Sequence, residues 1–181
     1  MKSNTHRKHL RLQGYDYSQN GAYFITICVQ DKLHLFGEVV GEHMHLNDAG
    51  SVLETQWLEI PNRFNHVQLD EYRVMPNHFH AIIFLDAPLS YDSIVELPTS
   101  VNDKNSHSFQ STISDIIGAF KSLFAYEYIQ RVKSFGWQVF NKKLWQRSYY
   151  EHVIRDDTSL HKIREYIINN PINWHIDEMN H

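Results

Sequence analysis

The chain has 181 residues, of which 42% are hydrophobic and 13% aromatic, and its formal net charge at pH 7 is −4. These values exclude a disordered chain and predict one globular domain over residues 1–181. A single cysteine excludes an intrachain disulfide, no run approaches the ~18 apolar residues of a membrane span, and residues 1–8 lack the apolar segment of a signal peptide, so we expect a cytoplasmic protein without membrane association.

Hydrophobic periodicity and turn signals divide the chain into alternating strands and helices. In chain order the predicted segments are a basic N-terminal arm (1–20), a strand (22–30), a hairpin (35–46), a helix capped by Asn47 or Asp48 (to about 61), two strands (67–75 and 78–85), a long exposed loop (86–110), a helix (112–132), an extended segment ending in a strand (144–154) and a last helix between Asp156 and Pro171. Without the hairpin the order is βαββαβ. This order predicts a ferredoxin-like α+β sandwich with an antiparallel sheet and one additional C-terminal helix.

The strand at 78–85 begins with two histidines separated by one residue, His78 and His80. Side chains of a strand alternate between its faces, so both imidazoles lie on one face, about 6–7 Å apart along the strand. Two imidazoles so placed can hold one divalent metal. The alternative is that they are two polar side chains on a half-exposed strand.

The last helix carries Tyr166 and Asn170, which share a face because they are four residues apart. A tyrosine hydroxyl becomes a useful nucleophile where a metal polarises the group that it attacks. An asparagine oxygen added to His78 and His80, with waters and a phosphate, gives a ligand set that suits Mg²⁺ or Mn²⁺. In the alternative interpretation Tyr166 lies at the edge of the core and Asn170 belongs to a helix C-cap.

Other residues of the same types compete for these roles. His43 and His45 repeat the spacing of the histidine pair, but in a hairpin where we expect solvated side chains. Tyr149 and Tyr150 compete with Tyr166 as the nucleophile, and spacing alone does not exclude them.

Several segments together resemble the single-tyrosine transposases that move single-stranded DNA. Met75-Pro76-Asn77-His78-Phe79-His80 is similar to their HUH motif, which is a bulky hydrophobic residue between two histidines. Further blocks are similar to the branch of REP-associated tyrosine transposases and keep the order of that branch; they lie at residues 15–17, 21–28, 35–38, 144–155 and 166–171.

The resemblance implies that the histidine pair lies on a central strand, that Tyr166 is the nucleophile and that Asn170 is the third metal ligand. Tyr149 and Tyr150 would then support the site or contact DNA. The implied reaction is metal-dependent cleavage of single-stranded DNA near a hairpin (REP-like) element through a 5′-phosphotyrosine link, which a second 3′-hydroxyl can reverse. The sequence does not decide whether the protein is a monomer or a homodimer.

Basic residues cluster in two blocks despite the acidic total. Residues 1–11 carry four basic residues and no acid, and residues 121–147 carry six basic residues and one acid. Such blocks, with aromatic side chains nearby, predict DNA contacts, although they could be ordinary solvated faces. The predicted contacts are Arg7, Lys8, Arg11, Lys121, Trp145, Arg147, Tyr149 and Tyr150.

Two further functions remain open at this point. The first is a regulator that binds DNA hairpins without cutting them. The second is a metal-dependent phosphodiesterase that uses water, with Tyr166 in a structural role.

Overall fold

The structure is a computed structural model that describes residues 20–86, 111–177 and 179–180. The predicted arm at 1–20 and the predicted loop at 86–110 therefore lie outside the described residues, apart from residues 20 and 86. Arg7, Lys8 and Arg11 lie outside them as well. Within the described part of the chain, the helices are too short or too polar to cross a membrane.

Strands and α-helices alternate along the described chain much as the sequence predicts. Their bounds are β1 (Gly21–Cys28), β2 (Gly37–Val40), β3 (His43–Leu46), α1 (Asp48–Leu58), α2 (Ile60–Arg63), β4 (Val67–Val74), β5 (His78–Leu85), α3 (Ile113–Phe135), β6 (Tyr150–Ile154) and α4 (Asp157–Ile168). A short 3-10 helix, Trp174–Ile176, follows α4.

Four strands form one antiparallel sheet in the order β4-β5-β1-β6, and β2 and β3 form a separate hairpin. β1 pairs with β5 along its whole length, from Gly21 opposite Leu85 to Cys28 opposite His78. With the hairpin set aside, the sheet joins the second, third, first and fourth strands of a βαββαβ unit, which is the ferredoxin-like arrangement. The predicted fold class, including the inserted hairpin and the additional helix, is confirmed.

Local sequence signals explain where the helices begin and end. The side chain of Asn47 accepts a hydrogen bond from the Gly50 amide at 2.9 Å and caps α1. Thr112 and Asp115 form a capping box at the start of α3. The first helix stops at Leu58 rather than near Pro61, because proline fits the first turn of a new helix, α2, better than a helix interior.

The sheet separates a large core from a smaller one. Alternate residues of β1 and β5, such as Ile25 and Phe79, pack against α1 and α3 in the large core. The residues between them point to the opposite face, where α4 lies. Side chains buried on that face are Ala22, Phe24, Ile82, Ile154 and Ile167. Because His78 and His80 follow the alternation of Ile82, they lie on the α4 face.

Candidate active site

His78 and His80 lie side by side beneath the last helix. Both are buried, and their ring centroids are 4.5 Å apart. Phe79 points the other way and packs edge-on against Trp57 in the large core, with 4.8 Å between ring centroids. The alternation of side chains along the strand therefore brings the two imidazoles together on one face, while Phe79 anchors the strand in the large core on the other face.

The neighbouring residue Asn77 determines which nitrogen of His78 carries the proton. The amide nitrogen of Asn77 donates to the carbonyl of Met179 at 2.7 Å, so its side-chain oxygen is the atom that faces His78 Nδ1 at 2.9 Å. That oxygen can only accept, so Nδ1 carries the proton and Nε2 keeps its lone pair. This is the tautomer in which a histidine binds a metal through Nε2.

His80 is oriented by hydrogen-bond partners at both nitrogens. Its Nδ1 lies 2.8 Å from the hydroxyl oxygen of Thr26, and its Nε2 lies 3.3 Å from the hydroxyl of Tyr166. The ring of Phe24 stacks on the imidazole with 5.4 Å between centroids. Thr26 is directly opposite His80 in the sheet, so the register of β1 and β5 supplies this contact.

Burial keeps both imidazoles neutral. Loss of hydration lowers the pKa of His78, while the carboxylate of Asp177 and the side chain of Asn170 oppose this effect. Burial also lowers the pKa of His80 well below its ordinary value, and the neighbouring charge on a protonated His78 would lower it further. Neutral histidines are the form that binds metal.

Tyr166 reaches the histidines from α4 and is 45% exposed. Its ring lies edge-on to Phe24 with 6.0 Å between centroids. Burial raises the pKa of the phenol, the charge of Asp177 raises it further, and the side chain of Asn170 acts in the opposite direction. The side chain is thus partly exposed, while its hydroxyl oxygen lies close to the imidazole of His80.

Two contacts hold α4 over the sheet near Tyr166. Arg164 donates from Nε to both carboxylate oxygens of Asp70 on β4, at 3.0 and 3.2 Å, and from its terminal nitrogen to the same carboxylate. Ile167 is buried in the smaller core. One polar and one apolar anchor therefore flank the tyrosine on either side in the sequence.

Asn170 and Asp177 complete the cluster beside His78. Asn170 is 1% exposed, and its amide nitrogen donates to Asp177 Oδ2 at 3.1 Å. The other oxygen of Asp177, Oδ1, accepts from the backbone amide of Met179 at 2.8 Å. Asp177 was not among the predicted site residues.

The donor set fits a divalent cation. One nitrogen from each histidine and one carboxylate oxygen of Asp177 lie within 4.8 Å of one another. Within the described residues, His78 Nε2 and Asn170 Oδ1 are buried without a hydrogen-bond partner. Both atoms are acceptors, and a buried acceptor without a donor is costly. A cation would satisfy both, and imidazole with amide and carboxylate oxygens is a ligand set for Mg²⁺ or Mn²⁺.

Two predicted DNA contacts are instead engaged within the protein. Trp145 is 6% exposed, packs against Phe36 and Phe124, and donates from its indole nitrogen to the carbonyl of Lys121 at 3.1 Å. The ammonium of Lys121 donates to the carbonyls of Gln146 and Ser148 at 2.9 and 3.1 Å. Trp145 therefore belongs to the large core rather than to the face of the histidines.

The other predicted residues differ in how accessible they are. Arg147 is exposed, Tyr149 is half-buried with its hydroxyl 3.2 Å from that of Ser114, and Tyr150 is 47% exposed. Tyr150 lies opposite Thr26 in the sheet, so it shares the face of His80 without being part of the cluster.

The rival histidine pair lies in the hairpin. His43 and His45 are both exposed on β3. They lie in the two-stranded sheet, which is separate from the sheet that carries His78 and His80.

The segment after α4 contains the site residues that sequence reasoning missed. Trp174 lies beside His78, with 5.8 Å between ring centroids, and Asp177 follows it. This segment shows no helical or strand periodicity in the sequence. The one available signal was an acidic residue shortly after Asn170, which by itself does not distinguish a site residue from a solvated one.

A family model and a sequence relative both match this chain. The family described as "Transposase IS200 like" matches residues 105–170, which include Tyr166 and Asn170. An uncharacterised protein of Haemophilus influenzae is 37% identical over 177 residues, which cover 96% of this chain and 93% of that protein.

A solved structure shares the fold. A REP-associated tyrosine transposase bound to a REP hairpin is similar with a TM-score of 0.56 and 18% identity, over 88% of this chain and 72% of that one. The family match, the shared fold and the HUH motif on β5 lead to the same result: the chain belongs to the family of IS200-like transposases.

Proposed function

We propose that this transposase is a metal-dependent endonuclease and strand transferase that acts on single-stranded DNA and uses Tyr166 as its nucleophile. The observation that carries the proposal is the hydroxyl of Tyr166, 3.3 Å from His80 Nε2 in a cluster of buried neutral ligands. Membership of the family connects the protein with DNA transposition. The solved relative bound to a REP hairpin supports a hairpin-bearing substrate.

His78, His80 and Asn170 would hold Mg²⁺ or Mn²⁺. The unsatisfied acceptors His78 Nε2 and Asn170 Oδ1 support this assignment, as do the contacts of Asn77 and Thr26 that orient the two imidazoles. A divalent cation held there supplies positive charge that polarises the scissile phosphate and stabilises the phenolate.

The side chains around Tyr166 would position this nucleophile for the reaction. Phe24 and His80 fix the ring of Tyr166, and Arg164 with Ile167 fix its helix. The phenol loses its proton to solvent, Oη bonds to phosphorus, the bond from phosphorus to the 3′ oxygen breaks, and that oxygen takes a proton. The 5′-phosphotyrosine link conserves the bond energy, so an incoming 3′-hydroxyl can reverse the step and join strands.

Residues outside the cluster would contact the DNA around the cleavage site. Tyr150 and Arg147 are accessible for stacking and phosphate contact, and the basic arm with Arg7, Lys8 and Arg11 would add phosphate contacts. Trp145 and Lys121 would contribute indirectly, because they hold the backbone of residues 146–148 in place.

Incubation with end-labelled, hairpin-bearing single-stranded DNA and Mn²⁺ tests the proposal. We expect a covalent protein–DNA band on a denaturing gel with the wild-type protein and with Tyr150→Phe, and none with Tyr166→Phe. Tyr150→Phe is the matched control, because it removes one hydroxyl from the same face of the sheet.

Three other results would each exclude the assignment. A covalent band that persists in Tyr166→Phe would mean another nucleophile. Cutting without any covalent band would indicate a phosphodiesterase that uses water. Hairpin binding without cutting would indicate a non-catalytic regulator.

A further inference from the structure

We propose that the carboxylate of Asp177 is a further ligand of the metal site and its one anionic protein ligand. This inference deepens the proposed function and rests on its metal site. It assigns a role to a residue beyond the matched family region, which ends at residue 170. It also gives the segment after α4 a chemical contribution.

The geometry brings Asp177 within reach of both histidines. One of its carboxylate oxygens and one nitrogen from each of His78 and His80 lie within 4.8 Å of one another. One cation can bridge atoms at such separations, since oxygen and nitrogen ligands lie roughly 2.0–2.6 Å from the metal. Among the described residues this is the one group of His, Cys, Asp and Glu side chains close enough to hold an ion.

The neighbours of Asp177 leave its carboxylate available. Oδ1 accepts from the Met179 amide, and Oδ2 accepts from Asn170 Nδ2. Each carboxylate oxygen has a further lone pair. The bond to Asn170 also turns the amide of that residue, so that its Oδ1 is left without a donor.

Asp177 would strengthen metal binding mainly because its carboxylate is negatively charged. His78 and His80 are neutral when they bind a metal, and Asn170 is neutral at all pH values. Hard divalent cations prefer anionic oxygen ligands. A site of two imidazoles and an amide would therefore depend on the DNA phosphate for its negative charge, whereas Asp177 lets the site bind a cation before DNA arrives.

The segment that carries Asp177 is tied to the histidines through Asn77. The side-chain nitrogen of Asn77 donates to the carbonyl of Met179, and its oxygen faces His78 Nδ1. The residue that sets the tautomer of His78 thus also holds the backbone that follows Asp177. Asn77 therefore holds both His78 and the segment that carries Asp177.

A structural role is the competing explanation. Asp177 could serve only to close the turn at Met179 and to hold Asn170. Asp177→Asn keeps the size of the side chain and an acceptor for the Met179 amide, but it removes the charge and the acceptor for Asn170 Nδ2. Asp177→Glu keeps the charge, so the comparison of the two variants separates the two roles.

Direct Mn²⁺ titration without DNA, followed by the electron paramagnetic resonance signal of free Mn²⁺ at pH 7.5, gives the readout. We expect saturable binding to the wild-type protein that His80→Ala removes. Asp177→Asn should raise the Kd about 10-fold or more. Glu165→Gln should leave it unchanged, because that exposed acid lies outside the cluster. The melting temperature of Asp177→Asn in EDTA should fall by no more than about 2–4 °C, the cost of the lost hydrogen bond from Asn170.

Wild-type Mn²⁺ affinity in Asp177→Asn would overturn the inference. It would also fail if Asp177→Asn and Asp177→Glu both lowered the melting temperature in EDTA and weakened Mn²⁺ binding equally, since charge would then be irrelevant. Either result leaves the proposed function standing, because the covalent DNA assay tests that separately. Absence of saturable binding to the wild-type protein would overturn the metal site as a whole.

Discussion

At each buried histidine, folding competes with protonation. In the unfolded chain an imidazole has a pKa near 6.5, whereas burial lowers the pKa of both His78 and His80 in the folded protein. Below pH 6.5 the unfolded chain therefore binds protons that the folded protein does not. Stability is fully present above this pH and falls as the pH decreases toward the folded pKa values, by about 1.4 kcal/mol per pH unit for each histidine.

This slope can be measured by urea unfolding in EDTA between pH 6.5 and 5. We expect His80→Gln to reduce the pH slope by about 1.4 kcal/mol per unit, because one of the two contributing groups is removed. The double variant His43→Gln, His45→Gln is the control, since it removes two imidazoles that are exposed on the hairpin. A wild-type slope in His80→Gln would show that this imidazole is not neutral in the folded state.

Some site residues could be predicted from the sequence and others could not. Tyr166 and Asn170 could be paired from their spacing, because a helix places residues four apart on one face. Trp145 was expected to contact DNA, yet it is buried, because a sequence does not reveal which side of an extended segment faces the core. Asp177 could not be found, because its approach to His78 depends on an irregular turn rather than on any periodicity.

At the level of elements, α4 buries little of its surface against the sheet. Its one buried side chain in the structure is Ile167, and the charged pair of Arg164 and Asp70 provides the main polar link to β4. A two-pronged contact between guanidinium and carboxylate fixes orientation as well as distance. Tyr166 lies between these anchors, so they set the position of its hydroxyl.

Arg164→Ala should therefore reduce activity more than stability. We expect a loss of about 1 kcal/mol in the free energy of unfolding, as for a partly exposed ion pair. DNA cleavage should slow by about 10- to 100-fold, because small displacements of a reacting group are costly. Stability by urea unfolding and cleavage under single-turnover conditions provide the two measurements.

A second ion pair gives the matched control for that variant. Arg131 pairs with Glu127 on α3 at 2.7 Å, with both side chains one-third exposed. Arg131→Ala should cost similar stability and leave the cleavage rate unchanged, since α3 packs on the other face of the sheet. Equal loss of activity in both variants would mean that the Arg164–Asp70 pair does not position the nucleophile.

Regular elements followed from the sequence because local rules determine them. Of the two predicted caps of the first helix, Asn47 and Asp48, Asn47 is the one found, and Asp156 caps the last helix as predicted. The strand at 78–85 is found with the predicted bounds. Helix α3 extends beyond the prediction to Phe135 and ends at Gly136, whose φ of 68° suits a helix C-terminus. The face of the sheet on which α4 lies is a property of the tertiary fold and required the structure.

Across the whole molecule, the two faces of the sheet differ in how firmly they are packed. The large core buries six side chains of α3, whereas the α4 face buries one of α4. Segments with few buried contacts open at lower free energy than the global unfolding transition. We therefore expect α4 to open while the rest of the described fold stays closed.

A bound metal would favour the closed state of α4, because some of its ligands lie on the sheet and another follows α4. His78 and His80 belong to the sheet, while Asn170 follows α4. Opening of α4 would release the cation, so Mn²⁺ should lower the equilibrium constant for that opening by about 100-fold at a concentration of about 100 times its Kd.

Hydrogen exchange followed by mass spectrometry tests both expectations. In EDTA, amides of α4 should exchange faster than those of α3 and β5, and Mn²⁺ should slow exchange in α4 by the factor above. His80→Ala should keep the fast exchange and lose the response to Mn²⁺, which separates metal binding from any general effect of salt. If α4 were as protected as β5 in EDTA, the helix would open only with global unfolding, and the placement of Tyr166 would be part of the rigid fold. The described packing favours separate opening of α4, because Ile167, the partly buried Leu160 and Ile163 and one ion pair form a much smaller cluster than the aromatic core beneath α3.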